Sequence, residues 1–244
     1  MASNPPGECC KTGFFRTGNP QGSVKEVFGL ASYVVGEEFN SDRVLVIITD
    51  IFGKDIHNTQ LVADELSKNG KYQVYVPEIF GGDPYLIDDS RDLMEWVGGK
   101  LPLIGPLIKE YLTKLNAELK PKFIGGVGYC FGAKFVVPQM AKDGFFSAGA
   151  IAHPSFVSEE ELGAIVKPLL ISACYTDKIF TTELRAKSEE ILNKLSEDID
   201  LDWRLNLFPK VVHGFAVRGD ISNRDVRYAM ESTIKDQLEW FARY

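Results

Sequence analysis

Cys130, Asp177 and His213 are the three side chains of this sequence whose chemistry could operate together. A thiol is only slightly ionised at neutral pH, but a neighbouring imidazole can take its proton, and a carboxylate on the other ring nitrogen fixes the tautomer and direction of that imidazole. Cys130 stands in Gly128-Tyr129-Cys130-Phe131-Gly132, between an apolar run, Lys122–Val127, that reads as a buried strand and a stretch from Ala133 to Lys142 that reads as a helix. A strand, a sharp turn with glycine two residues to either side, then a helix is the setting in which such a pentapeptide holds a nucleophile in a strained backbone conformation. Side chains in place of those glycines would collide with the neighbouring strand or helix. The competing reading is an ordinary glycine-rich strand-to-helix turn around a buried cysteine.

The remaining roles fall to backbone and nearby groups. A helix starting at Phe131 stabilises a thiolate through its N-terminal dipole. Negative charge developing on an attacked carbonyl oxygen needs N–H donors, for which the amide of Phe131 and that of Ile51, after an earlier strand, are the candidates. His213, beside Gly214, could instead be an exposed loop residue. Asp177 could simply begin the turn before Ile179, with Asp198, Asp200 and Asp202 as alternative acids, although these lie on or before a strand start. His153-Pro154 either lines the pocket or forms a structural turn.

The elements that would position these residues read as an alternating α/β chain. Residues 1–22 are rich in Gly, Pro and Thr and should be mostly irregular. Val27–Val35 suits an early edge strand, and Arg43–Thr49 is a β-branched run of the kind covered on both faces by helices. A helix carrying Leu61, Val62 and Leu66 ends at Asn69-Gly70, and Tyr72–Val76 is the next strand. Asp88–Val97 looks helical, and Leu103–Leu119 reads as a second helix interrupted near Gly105-Pro106. These stretches make either a cap over the site or a two-helix connection packed on the sheet. Ala148–Ala152, Pro168–Ala173 and Trp203–Phe208 are the later strands, with helices over Thr182–Leu195 and Asn223–Tyr244; Val211–Phe215 reads as a loop. Cys130, Asp177 and His213 thus each follow a strand, and the loops after parallel strands share the edge at which such sheets bind ligands.

Composition sets the outer limits. The chain has 244 residues, 45% hydrophobic and 25% charged, enough to build one large domain without disulfides or metals. A net charge of −7 argues against nucleic acid or an anionic membrane as partner. No apolar run approaches the ~20 residues that span a bilayer, and the first residues resemble neither a secretory signal nor a transit peptide. The four cysteines, Cys9, Cys10, Cys130 and Cys174, have neither the density of a disulfide scaffold nor the paired spacing of a zinc site. A cytosolic protein with reduced thiols and no bound metal is expected, with Cys9-Cys10 packing locally in an N-terminal flap; a redox or metal role for that pair is the alternative.

With these residues in view, the sequence resembles the dienelactone hydrolase family, whose members have the α/β-hydrolase fold. The order nucleophile, acid, histidine is the order used on that fold. The matching pieces are Gly128–Ala133, Asp50-Ile51-Phe52-Gly53, the Asp177 loop, and His213-Gly214-Phe215 followed by Arg218, so the likeness runs from Asp50 to the C-terminus. It is strongest to eukaryotic, fungal-type members, which carry a similar cysteine pair near the start and the Ile151–Phe156 segment. The resemblance implies one domain over residues 1–244, a mostly parallel central sheet with helices on both faces, and cofactor-independent hydrolysis of a small-molecule ester or lactone, a thioester being within reach, through an acyl-cysteine. In bacterial members a glutamate after the early strand pairs with the resting cysteine; Asp50, one methylene shorter, stands there and is the candidate modulator of the thiol. Those members also hold the substrate carboxylate with arginines, to which Arg218 is the counterpart, and His153 and Phe52 complete the expected substrate contacts. The alternatives are a non-catalytic binding or redox-sensing protein that uses Cys130 as a reactive thiol, and carbon–carbon hydrolysis or isomerisation on the same scaffold. The sequence carries no signal of oligomeric state.

Overall fold

The structure, a computed structural model, describes residues 1–244. All its elements pack on one eight-stranded sheet of order β1-β2-β4-β3-β5-β6-β7-β8. The strands are β1 (Ser23–Val27), β2 (Leu30–Val35), β3 (Arg43–Ile48), β4 (Gln73–Pro77), β5 (Phe123–Tyr129), β6 (Ala148–Ala152), β7 (Leu169–Thr176) and β8 (Trp203–Val212). From β4 across to β8 every neighbour is parallel, while β1 and β2 pair antiparallel with each other and β2 antiparallel with β4. The helices are α1 (His57–Gly70), α2 (Leu93–Leu119), α3 (Ala133–Val136), α4 (Glu159–Gly163), α5 (Thr182–Ile199), α6 (Phe215–Arg218) and α7 (Arg224–Arg243). This is the mixed, mostly parallel sheet of an α/β-hydrolase.

The period-2 alternation of a strand divides the core into two layers. Val44, Val46 and Ile48 of β3 face the layer that holds Ile104, Ile108 and Leu112 of α2 and Leu192 of α5. Leu45 and Ile47 face the opposite layer, with Val62 and Leu66 of α1 and Ile234 and Phe241 of α7. Because both faces are covered, β3 has no polar side and reads as a continuous β-branched run.

Four details differ from the sequence reading. The segment Val27–Val35 is the end of one strand and the whole of another, joined by a two-residue turn in which Phe28 has φ 54° and Gly29 φ 87°. Two positive φ values in succession give the turn twist that matches paired strands. The stretch expected as two helices is one, starting only at Leu93, where Asp92 caps it by accepting from the Glu95 amide at 2.9 Å. Pro102 and Pro106 lie inside α2 without breaking it; Gly98, Gly99 and Gly105 have open space where a Cβ would stand, and the buried row Trp96, Val97, Ile104, Ile108, Tyr111, Leu112, Leu115 holds the helix to the sheet on both sides of the prolines. The helix expected after Cys130 is short, a single α turn flanked by 3-10 turns. Finally, Val211 and Val212 belong to β8 rather than to a loop: Cys174 and Thr176 of β7 pair with Phe208 and Val212, so two steps along β7 match four along β8, and Lys210 takes up the excess at φ 61°.

Residues 1–22 form a strap laid across the sheet edge where β5, β7 and β8 end. Its backbone is tied down by Ala2 and Ser3 amides to the Val157 carbonyl at 2.9 and 3.0 Å, Asn4 to Ile179 at 2.9 Å, and Phe14 to Arg218 at 2.9 Å. Apart from one 3-10 turn, Glu8–Cys10, it is irregular as expected.

Candidate active site

β5 delivers Cys130 in the left-handed region, φ 51°, as the first residue of a 3-10 turn, Cys130–Gly132. A non-glycine residue there carries strain that the surroundings must hold in place. They do so by close approach: a Cβ on Gly132 would stand 2.0 Å from the Ile48 carbonyl oxygen, and one on Gly128 would stand 2.9 Å from the Ala133 Cα. The same contact seats the elbow on the end of β3, against the Ile48 and Thr49 carbonyls. The Ser155 amide donates to the Cys130 carbonyl at 3.0 Å and fixes the elbow from the β6 side.

Around this elbow the three side chains expected from sequence meet. His213 Nε2 lies 3.1 Å from Cys130 Sγ, and His213 Nδ1 lies 2.9 Å from Asp177 Oδ2. The excess length of β8 sets His213 beside the Asp177 loop at the end of β7. Asp177 is held by amides of its own loop, accepting from Ile179 at 2.7 Å and Phe180 at 3.1 Å, and its second oxygen lies 3.3 Å from the Cys174 sulfur. All three residues are buried.

Burial alone would raise the Cys130 thiol, but hydrogen bonding from Cys10 and the charge and hydrogen bond of His213 hold it well below its ordinary value. His213 shows the reciprocal shift: burial pushes it down, and the Cys130 charge with the Asp177 carboxylate overcomes this and lifts it to about 10. Burial likewise raises Asp177, yet the His213 hydrogen bond and charge and the two loop amides bring it below the usual carboxylate range. The direction for the set is a thiolate beside an imidazolium.

The other expected residues fall into place differently. Asp50 is buried and accepts from Arg218 Nε at 3.0 Å and from the Phe52 amide at 3.1 Å. It makes no hydrogen bond to the thiol; burial raises its carboxyl, against the pull of Arg218. Arg218 spends Nη1 on the Cys9 and Thr12 carbonyls at 3.1 and 2.8 Å, leaving Nη2 as the one nitrogen without a partner. It can therefore offer an anion one donor nitrogen and not a fork made by two. Phe52 lies under that guanidinium, 5.7 Å from ring centre to its carbon. His153 is fully buried at φ 38°, its ring 5.0 Å from that of His213, and neither of its nitrogens has a hydrogen-bond partner. Burial lowers it to about 4 and keeps it neutral.

The residue that sequence reasoning missed is Cys10. Its sulfur lies 3.5 Å from that of Cys130, and the Ser155 hydroxyl borders the same thiol at 3.7 Å. The adjacent cysteines were the available signal, but no linear spacing ties them to a residue 120 positions away. Cys10 Sγ, Cys130 Sγ and His213 Nε2 lie within 4.8 Å of one another, a group of soft donors already engaged with each other by hydrogen bonds. A cleft of about 180 Å³ reaches His213 between Thr12–Phe14 of the strap and the Gly214–Asn223 segment. A larger hollow, about 430 Å³, is lined by Asp83, Arg91 and Lys100, charges that pair with one another, and is lined by neither Cys130 nor His213.

This fold and site define an α/β-hydrolase with a cysteine at the elbow. The chain belongs to the dienelactone hydrolase family, whose model matches residues 30–244, and is a hydrolase of that family. It is 37% identical to "Hydrolase pyvD" of Aspergillus violaceofuscus, covering 100% of this chain and 99% of the relative. It is also 37% identical to "Hydrolase tropI" of Talaromyces stipitatus, over 100% and 98% of the two chains. An esterase structure from Pyrococcus furiosus superposes with a TM-score of 0.67 over 99% of each chain at 15% identity, a likeness of fold. No helix is long and apolar enough to cross a membrane.

Proposed function

We propose that this protein hydrolyses an ester or lactone of a small molecule, with thioesters chemically in reach, through an acyl-enzyme on Cys130. The observation that carries the reading is the continuous contact chain from Cys130 Sγ through His213 to Asp177, at 3.1 and 2.9 Å, around a backbone elbow at φ 51°. The thiolate attacks the carbonyl carbon, and the oxyanion is received by the amides of Phe131 and Ile51. Protonated His213 gives its proton to the leaving alkoxide, which in a lactone stays attached to the acyl group. Neutral His213 then takes a proton from water, the hydroxide attacks the thioester, and the thiolate returns. Asp177 keeps Nδ1–H pointed at itself and so keeps Nε2 on the sulfur. Arg218 Nη2, His153 and Phe52 are the proposed contacts to substrate. No cofactor enters these steps, and a reducing, cytosolic setting suits a free thiolate.

Cys130 is fully buried, with Cys10 against its sulfur. Substrate reaches it along the His213 cleft, by displacing part of the strap.

The test is a parallel screen of lactones, aryl esters and thioesters against wild type and Cys130→Ala, with intact-mass detection of an acyl adduct. Turnover and adduct present in wild type and absent from the variant are expected. Equal turnover in both proteins would sink the assignment.

A further inference from the structure

We propose that Cys10 and Cys130 form a reversible disulfide when Cys130 meets a hydroperoxide, which gives the site a second, two-electron chemistry apart from hydrolysis. The proposal rests on the nucleophilic Cys130 of the hydrolase reading but not on hydrolysis itself.

The hydrolytic steps make no use of Cys10, yet the structure fixes it with care. Both sulfurs are fully buried and 3.5 Å apart, so bond formation near 2.05 Å needs a closure of about 1.5 Å, within reach of side-chain rotation and a small shift of the strap. The one-turn 3-10 segment holds Cys10 through its amide to the Gly7 carbonyl at 2.8 Å. Arg218 Nη1 grips the carbonyls of Cys9 and Thr12, one on each side of Cys10. The guanidinium that is paired with Asp50 on the floor of the site thus also holds the second thiol in place.

The other two thiols are unsuited to the task. Cys174 is hydrogen-bonded to Asp177 and its thiol is pushed up by burial. Cys9 makes no sulfur contact with Cys130, and a bridge to its neighbour Cys10 is geometrically disfavoured.

In the first step the Cys130 thiolate attacks one peroxide oxygen and the O–O bond breaks. Cys130 becomes a sulfenic acid, and the departing alkoxide, or hydroxide from hydrogen peroxide, takes the proton of His213. In the second step neutral His213 accepts the Cys10 proton, the Cys10 sulfur attacks Cys130 Sγ, and hydroxide leaves and is protonated to water. Two thiols and one hydroperoxide give one disulfide, one alcohol and one water; the thiols lose two electrons and the peroxide gains them. Because Cys10 is already in contact, this condensation precedes a second oxidation to the irreversible sulfinic acid.

The experiment treats full-length protein, freed of reductant, with hydrogen peroxide, blocks remaining thiols with iodoacetamide, and reads intact mass and a tryptic map. Wild type is expected to lose two hydrogens and to yield the peptide ending at Lys11 joined to the peptide that contains Cys130, with ester hydrolysis lost and then restored by dithiothreitol. Cys9→Ser should do the same. Cys10→Ser should gain oxygen on Cys130 and stay inactive after reduction. The proposal is overturned if wild type gains oxygen on Cys130 without a cross-link, or if the link survives in Cys10→Ser. The wild-type map stands even if a variant fails to fold. Since the map does not depend on any ester, a protein that cross-links but hydrolyses nothing would refute the hydrolase reading alone.

Discussion

Asp50 and Arg218, separated by 168 positions in the chain, meet in a buried ion pair at 3.0 Å that joins the turn after β3 to the helix turn following His213. Removing one partner leaves the other charge buried and alone, which costs about 3–5 kcal/mol. Arg218→Met is therefore expected to lower unfolding stability by that order in a denaturant titration, and Arg218→Lys to recover only part of it, because one ammonium cannot serve Asp50 and two carbonyls together. A loss of less than about 1 kcal/mol in Arg218→Met would show that the pair is not structural.

The thiolate–imidazolium pair sets a pH profile for alkylation. With Cys130 held well below its ordinary value, the iodoacetamide rate should be nearly level through neutrality and fall only in acid, as the thiolate is protonated. His213→Ala should move the midpoint up toward the free thiol, about 8.5. Because the folded His213 value, about 10, lies above the ordinary 6.5, the stability it contributes is complete below 6.5 and is lost as pH rises through about 10. A wild-type alkylation rate that climbs through pH 8–9 like a free cysteine contradicts the pair.

His153 has the opposite sign. Its folded value, about 4, lies below the ordinary 6.5, so the unfolded chain binds the extra proton first and stability drains as pH falls from 6.5 toward 4. His153→Phe, which keeps a ring among His213, Tyr129 and Phe215 without the unpartnered nitrogens, should flatten that acid limb in melting curves taken across this range. An unchanged slope would mean that His153 titrates normally.

Two glycine substitutions should part company. Gly132→Ala forces a Cβ to within 2.0 Å of the Ile48 carbonyl oxygen, backbone that cannot move aside cheaply. We expect it to cost about 1–3 kcal/mol and most of the hydrolytic rate. Gly99→Ala, in the exposed and open face of α2, should raise stability by about 0.5–1 kcal/mol and leave the rate alone. Similar melting temperatures for the two variants would argue against the elbow packing described.

What could be read from sequence was what local pattern encodes. The β-branched run of β3 and the glycine-flanked elbow of β5 made their elements legible, and a residue just past a parallel strand belongs to the ligand edge by topology, which placed Cys130, Asp177 and His213 together. The Phe28-Gly29 turn was missed because its first position, at φ 54°, lacks the Asn or Asp that marks such turns. The last strand read short because Pro209 and the Lys210 excess break its alternation. Pro106 on its own predicts a break in α2, which the buried row on both sides of the prolines overrides. Cys10 was invisible as a neighbour of the thiol, since a contact spanning 120 residues leaves no trace in spacing.

The strap that covers the thiol closes the largest hydrogen-bonded loops in the molecule: Cys9 to Arg218, and Phe14 to Arg218. Contacts of such separation carry the greatest closure entropy and form only when both ends are already fixed. We therefore expect the sheet to assemble first and Cys130 to be shut away last, its sulfur uncovered in the interval on an otherwise finished scaffold. Pulsed alkylation during refolding should find Cys130 still labelled at rates typical of an exposed thiol after the β3 and β5 amides are protected from exchange, and slowed to the native rate only when the Phe14 amide joins them.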